Sequence, residues 1–258
     1  MKRRRWFDFG RRWVVFLAFV AVWQLIASAA GNPYFPPPSD IVSAAGDTWF
    51  SGSFTDDILP SLGRLLAGFA IAVAVGIPVG IALGRSEKAT DYVSPVFFFA
   101  RSVPATLLVP VFLVAFGIGP KMEIITVIFG AVWPILLNTI DGARAVDEVK
   151  TETARAFNIS RRNWVFGVVL PTALPKVFAG LRLALSLSII LMVVSELMGG
   201  STNGIGYQLI TSQGNFVLPV MWAWIVLVSV LGYVANLLLS TLERRALAWH
   251  PGFQPEGA

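Results

Sequence analysis

The sequence predicts an all-α, polytopic membrane protein with about six transmembrane helices and both termini in the cytoplasm. Of its 258 residues, 55% are hydrophobic and only 14% are charged. Several apolar runs are long enough to cross a bilayer, which takes roughly 20 residues of helix. Most of the 20 Lys and Arg residues fall in the segments on one side of these runs. The positive-inside bias assigns that side, with both termini, to the cytoplasm.

Polar or Pro-rich breaks separate the six apolar segments. The expected spans are 13–30, 58–84, 92–117, 122–140, 176–198 and 216–239. A basic segment, 1–12, precedes a single transmembrane domain, 13–249, which ends in a short tail, 250–258. Residues 141–175 are expected to form a cytoplasmic loop, and 199–215 an outer loop. A cleaved signal peptide is the alternative interpretation of the first span, because Ala27-Ser28-Ala29 resembles a cleavage site.

The composition argues against several kinds of chemistry. Cysteine is absent, and the single histidine, His250, lies near the C-terminus. Disulfides, thiolate metal sites, His-rich metal sites and His-based catalytic triads are therefore excluded. A membrane enzyme would have Glu196 as its only acid within a span. We expect no catalytic residue, no metal site and no nucleic-acid partner.

A stripe of small residues runs along the second span at intervals of four. It consists of Gly68, Ala72, Gly76, Gly80 and Gly84, and the fifth span has a shorter counterpart in Gly180, Ala184 and Ser188. Residues four apart lie on one face of a helix, and small residues let helix backbones approach closely in lipid. The stripe predicts close helix packing, either within the chain or between subunits.

Polar residues within spans are candidates for the lining of a central pathway, because charge inside a membrane is costly. Arg101 falls in the third span beside Pro104, where the helix is expected to break. Asn138 and Glu196 lie in the fourth and fifth spans. Structural ion pairing, or snorkelling of the side chain to the membrane interface, is the alternative for Arg101 and Glu196, and it is the favoured interpretation for Arg182.

The cytoplasmic loop carries signals for two short helices. Asp147 or Thr151 is suited to begin the first helix, and Ser160 to begin the second. Asn158 suits the left-handed position that ends the first helix. The small side chains of Ala154 and Ala156 would let another protein approach this element. An amphipathic helix on the lipid headgroups is the alternative.

This loop resembles the signature of the permease subunits of bacterial binding-protein-dependent ABC importers. That signature reads Glu-Ala-Ala, three residues, Gly, nine residues, Ile, one residue, Leu-Pro. The corresponding residues here are Glu152, Thr153, Ala154, Asn158, Val168, Leu170 and Pro171. The chain departs from the pattern at Thr153, Asn158 and Val168.

Other segments are similar to the nitrate/sulfonate/taurine class of these permeases, and the likeness covers about residues 33 to 249. They are Pro36-Pro37-Pro38-Ser39, Ser61 to Phe69, Gly76 to Gly80, Phe116 to Gly119 and Gly204-Ile205-Gly206.

The resemblance implies a type I importer permease in the bacterial inner membrane. It implies a second permease copy, giving a homodimer, two cytoplasmic ATPases and an extracytoplasmic substrate-binding protein. The ATPase-coupling residues would be Glu152, Thr153, Ala154, Arg155, Ala156, Phe157, Asn158 and Ile159. The chain has no Gly-x-x-x-x-Gly-Lys-Ser/Thr phosphate loop, so ATP and magnesium are expected in the ATPase.

The expected solute is a small polar or anionic organic molecule, such as a sulfonate, taurine or nitrate. A vitamin precursor or an aromatic acid is an alternative within the family. A membrane scaffold that recruits a cytoplasmic protein without transport is the alternative from another class.

Overall fold

A computed structural model of the chain describes residues 2–249, with side chains from residue 14 onward. In this part of the chain all regular structure is helical, which confirms the all-α class. His250 and the tail that contains it lie outside the described residues. The helices are α1 (Lys2–Ala30), α2 (Pro38–Trp49), α3 (Leu59–Gly84), α4 (Glu87–Ser102), α5 (Val109–Phe116), α6 (Pro120–Arg144), α7 (Glu148–Ala156), α8 (Arg161–Trp164), α9 (Leu170–Met198), α10 (Ile205–Gly214) and α11 (Leu218–Ala246).

Four continuous helical runs are long and apolar enough to cross a membrane. They are Phe54–Gly84, Pro120–Arg144, Arg161–Met198 and Leu218–Ala246. A fifth span is formed by α4 and the Ala105–Phe116 segment if this pair, bent by 78°, counts as one. The apolar part of α1, Val14–Ala30, is shorter than the others. Each of the six predicted segments is thus mainly helical, and the third contains a break.

The bend between α4 and α5 occurs where the sequence predicts it. Val103 leaves the helical conformation, with φ −80° and ψ 117°, immediately before Pro104. A proline disfavours the helical conformation of the residue before it. The short 3₁₀ turn Ala105–Leu108 then restarts the helix toward α5.

The core of the molecule is the packing of α6 against α3 and α9. The small-residue stripe of α3 lies against α6: a Cβ at Gly76 would be 2.8 Å from Cγ2 of Ile135, and one at Gly80 would be 2.6 Å from Cβ of Thr139. A Cβ at Gly180 on α9 would likewise be 2.7 Å from the Pro134 carbonyl oxygen. Packing within the chain thus accounts for the stripe and covers it.

Helical structure extends into two segments that were predicted to be loops. The predicted outer loop 199–215 contains the helix α10. The fifth span was expected to begin at Lys176, but the helical run begins at Arg161 and continues through a π-helical turn, Val165–Val169. Pro175, the last residue of the predicted loop, lies inside α9.

The helix ends gather at two opposite faces of the molecule. At the outer face, Trp23 of α1 packs edge-on against Trp222 of α11 with ring centroids 5.5 Å apart. The amide of Asn203, before α10, donates to the Asp56 carbonyl at the start of the α3 run. At the inner face, Arg85 after α3 lies 5.7 Å from the ring of Trp164 in α8.

Candidate functional site

A cavity of about 650 Å³ lies between the bend after α4 and the helices α6 and α9. Two of the predicted pathway residues, Arg101 and Asn138, line it. Its apolar walls include Phe129, Trp133, Leu183, Leu187 and Leu191. The cavity thus places a cationic side chain and an amide side chain beside an extended apolar surface.

The middle of α6 is shaped to form one wall of this cavity. Gly130 leaves room for Ala105, whose Cβ would be 3.4 Å from a Cβ at this position, and for Leu191 of α9. Pro134 has no N–H to donate to the Gly130 carbonyl one turn earlier, and both residues line the cavity. The Asn138 side-chain amide donates to the Pro134 carbonyl at 2.8 Å, which holds it against its own helix.

Arg101 is the cation of the cavity. It is exposed, and its guanidinium lies 4.7 Å from the centre of the Phe98 ring. Among the described side chains, no carboxylate lies within salt-bridge distance of it. Asp141, at the inner end of α6, is the one acidic residue among the described cavity residues. Arg101 therefore carries a charge that the described part of the chain does not neutralise.

Glu196 does not belong to this cavity, so its prediction as a pathway residue is corrected. It is 1% exposed and lies near the outer end of α9. Its Oε1 accepts a hydrogen bond from Ser61 Oγ at 2.6 Å and contacts Arg64 Nη1 at 3.0 Å. The alternative interpretation, structural pairing, is the one the structure supports.

Arg64 is the centre of a buried polar network that joins α3, α6 and α9. Its Nε lies 2.9 Å from Oε2 of Glu123, and its Nη2 donates to the Asn203 side chain at 2.6 Å. Ser201 donates to the other oxygen of Glu123. Two carboxylates thus share one guanidinium. The hydrogen bond from Ser201 to Glu123, and those from Ser61 and the Gly206 N–H to Glu196, help to offset the cost of burying these charges.

The N-terminus of α10 completes this network. The backbone N–H of Gly206 donates to Glu196 Oε2 at 2.8 Å, that of Ile205 to Ser61 Oγ at 2.9 Å, and that of Gly204 to Asp57 Oδ1 at 2.9 Å. Unpaired N–H groups and the helix dipole stabilise negative charge at such an end. The Gly204-Ile205-Gly206 motif thus has a structural role, because a Cβ at Gly204 would lie 2.6 Å from the Glu196 carboxyl carbon.

Sequence reasoning missed Arg64, Glu123 and Asp57, and it was wrong that Glu196 is the only acid within a span. Glu123 is fully buried at the start of α6. Both Arg64 and Glu123 lie inside the predicted spans 58–84 and 122–140. A complete inventory of charged residues within those spans would have found an Arg and two Glu to pair.

Arg182 is ion-paired, as its favoured interpretation proposed. Its Nη2 lies 2.5 Å from Glu243 Oε2 of α11, and its side chain is 53% exposed. This pair joins the inner halves of α9 and α11 at the surface. It lies apart from the cavity residues.

The predicted helix–turn–helix of the cytoplasmic loop is present as α7 and α8. Asp147 begins α7 by accepting a hydrogen bond from the Val149 N–H at 2.9 Å, and Ser160 accepts one from Asn163 N–H at 3.4 Å. Asn158 has φ +50°, which confirms the predicted left-handed residue. The Ile159 N–H donates to the Ala154 carbonyl at 2.9 Å, so α7 ends in a Schellman motif.

The two faces of α7 differ in exposure. One face carries Val149, Glu152, Thr153 and Ala156, spaced as one helical stripe, and all four are exposed, with Phe157 beside them at 77% exposure. The opposite face carries Ala154, which is only 8% exposed. The prediction that Ala154 meets another protein is therefore wrong, because this side chain faces its own chain.

Apolar spans, a broken helix beside a mainly apolar cavity that holds Arg101 and Asn138, and a capped helical hairpin at the inner face together define a polytopic membrane permease. Residues 76–247 match the family model described as binding-protein-dependent transport system inner membrane component. The chain belongs to this family. Membership implies that it works with an ATPase and a substrate-binding protein.

Curated relatives cover most of this chain at about the same level of identity. The aliphatic sulfonates transport permease protein SsuC of Bacillus subtilis is 30% identical over 91% of this chain and 86% of its own length. The taurine transport permease TauC of Escherichia coli is 30% identical over 90% of this chain and 84% of its own. The bicarbonate transport permease CmpB of Synechococcus elongatus is 30% identical over 88% of this chain and 86% of its own.

The fold agrees with solved transporters. An inward-facing structure of the MetNI methionine ABC transporter superposes with a TM-score of 0.62 and 23% identity, covering 74% of this chain and 94% of that one. The chain is thus an ABC importer permease of the nitrate/sulfonate/taurine class in the cytoplasmic membrane.

Proposed function

We propose that this permease moves a small organic anion inward along the cavity that Arg101 and Asn138 line. Arg101 attracts the anionic group, and the Asn138 carbonyl oxygen accepts a hydrogen bond from a polar solute. Glu196 does not line this cavity, because it lies in a separate buried network with Arg64. The observation that carries this proposal is the guanidinium of Arg101, which has no salt-bridge partner among the described residues, in a cavity whose other walls are mainly apolar.

The apolar walls favour an organic anion over an inorganic one. Relatives of this chain are named for aliphatic sulfonates and taurine, and others for bicarbonate and nitrate. The apolar side chains of Trp133, Leu183 and Leu187 can pack against the hydrocarbon part of a sulfonate, whereas nitrate has no hydrocarbon part to contact them. The aromatic pair Phe129 and Trp133, with ring centroids 5.8 Å apart, keeps an aromatic acid as the second candidate.

The exposed face of α7 receives the driving force from an ATPase. Val149, Phe157 and their neighbours present an apolar and acidic surface on a helix fixed at both ends by caps. ATP and magnesium act in that partner, whose closure moves α7 as a rigid body. A second copy of the chain completes the pathway as a homodimer, and the binding protein delivers the solute at the outer face.

Uptake by reconstituted transporter tests this proposal. Permease, ATPase and binding protein are placed in vesicles, and uptake of a labelled alkyl sulfonate is compared with uptake of nitrate. Arg101→Gln should lower sulfonate uptake roughly tenfold or more, because a hydrogen bond to a charged group contributes about 1.5–3 kcal/mol. The control, Arg244→Gln, removes an exposed inner-face cation away from the cavity. Equal uptake by both variants would refute the role of Arg101.

A further inference from the structure

We propose that the pocket behind the coupling helix α7 is a binding site for a phosphate group, carried by an anionic phospholipid or free in solution. This pocket, of about 490 Å³, lies between α7, the end of α3 and α8. Its walls include Arg85, Arg155, Arg161, Thr151, Asn158 and Trp164. It lies on the side of α7 opposite the exposed stripe that faces the ATPase.

The positive charge of the pocket favours an anionic ligand. Three guanidinium groups line it, and none of the described lining residues is acidic. Among the side chains that the structure describes, no Asp or Glu lies within salt-bridge distance of Arg85, Arg155 or Arg161. Like charges that line one pocket repel one another, and a bound anion relieves that repulsion. Three unneutralised cations in one concave site therefore favour the binding of an anion.

The geometry favours a phosphate group in particular. Guanidinium groups bind phosphate oxygens through paired N–H donors, and three arginines line this pocket. Arg85 is held in place, because its Nη1 donates to the Ala143 carbonyl at 3.4 Å and its guanidinium lies over the Trp164 ring. Arg155 and Arg161 are exposed and free to close on a ligand.

The position of the pocket matches the level of lipid headgroups at the inner leaflet. Trp164 immediately precedes the apolar Val165–Val169 turn and α9, and Trp side chains concentrate at the membrane–water boundary. Basic pockets between helices on the cytoplasmic side bind anionic headgroups. A ligand there would contact α3, α7 and α8 together and so fix the base of the coupling helix.

Titration of the purified, full-length permease in neutral detergent tests the site. The probes are dioctanoyl phosphatidylglycerol, dioctanoyl phosphatidylcholine and inorganic phosphate. Arg155→Gln with Arg161→Gln should weaken binding roughly 30-fold, about fivefold for each arginine. The matched control, Arg244→Gln with Arg245→Gln, removes two exposed cations from the same side of the protein and should bind as the wild type does.

The outcomes separate the possible sources of the phosphate. Binding of phosphatidylglycerol alone, lost in the 155/161 variant, identifies a lipid headgroup. Binding of inorganic phosphate, lost in the same variant, identifies a free anion. The proposal is overturned if both double variants bind the probes with equal affinity, or if no probe binds. An acidic surface of the ATPase would then be the partner of the three arginines. Because no transport is measured, the result does not depend on the proposed solute.

Discussion

At the residue scale, a buried network of one arginine and two glutamates holds the outer half of the helix bundle together. Arg64, Glu123 and Glu196 come from three helices and are each less than 7% exposed. Burying such charges is expensive, and the cost is offset only while every partner is present. The network therefore makes α3, α6 and α9 depend on one another.

Loss of Arg64 should destabilise the protein strongly. Arg64→Met leaves two buried carboxylates without their cation, which costs about 3–5 kcal/mol in the free energy of unfolding. The control is Arg182→Met, which removes a half-exposed ion pair with Glu243 and should cost less than about 1 kcal/mol. Chemical denaturation in detergent measures both. Equal losses in the two variants would show that the buried network contributes no more than a surface pair.

Gly204 should not tolerate a side chain. Its φ of +121° is rarely adopted by other residues, and a Cβ there would lie 2.6 Å from both the carboxyl carbon and Oε2 of Glu196. Gly204→Ala should lower the melting temperature in detergent, whereas Gly214→Ala at the other end of α10 meets nothing within 4 Å. A melting temperature unchanged by Gly204→Ala would contradict the close packing of the α10 N-terminus against Glu196.

At the element scale, the two faces of α7 have separate tasks. The exposed stripe, which includes Glu152, is the surface that we propose contacts the ATPase, while Ala154 is buried against the rest of the chain. The sequence predicts the caps of this helix well, because Asp147, Asn158 and Ser160 act through local hydrogen bonds. It does not predict which face is buried, because that depends on contacts with distant parts of the chain.

Substitutions on these two faces should therefore fail in different ways. Glu152→Lys should leave the permease inserted and thermally stable but reduce transport per ATP hydrolysed, because it reverses a charge on the contact surface. Ala154→Trp should instead displace α7 and lower the melting temperature. Uptake, ATPase activity and melting temperature measured together distinguish the two. Thermal destabilisation by Glu152→Lys matching that of Ala154→Trp would contradict the division of faces.

At the scale of the whole molecule, the predicted membrane class and helical segments are confirmed, and the errors fall at particular residues. The cytoplasmic loop was expected to extend to residue 175, yet Pro175 lies inside α9. Gly199 to Asn215 was taken for a loop because of its polarity, yet α10 is stabilised by contacts with Asp57, Ser61 and Glu196. The contacts with Asp57 and Ser61 join residues more than 100 positions apart, and the local sequence pattern does not predict such contacts.

The cavity was predicted only in part, for the same reason. Arg101 and Asn138 were identified because polar residues within spans are rare, but the apolar residues around them resemble any lipid-facing residue. Glu196 was grouped with them by the same criterion. Only the three-dimensional arrangement separates a polar residue in a cavity from one in a buried ion pair.

The central claim is that a partner ATPase moves this permease through the exposed face of α7, and site-directed cross-linking tests it most directly. The chain has no cysteine, so a single introduced one reports on a single position. Thr153→Cys lies on the exposed face and Ala154→Cys, its neighbour, on the buried one. We expect Thr153→Cys to cross-link to the ATPase with a yield that changes with ATP, and Ala154→Cys to give little product. No cross-link from Thr153→Cys in an assembled, transport-active complex would contradict the account.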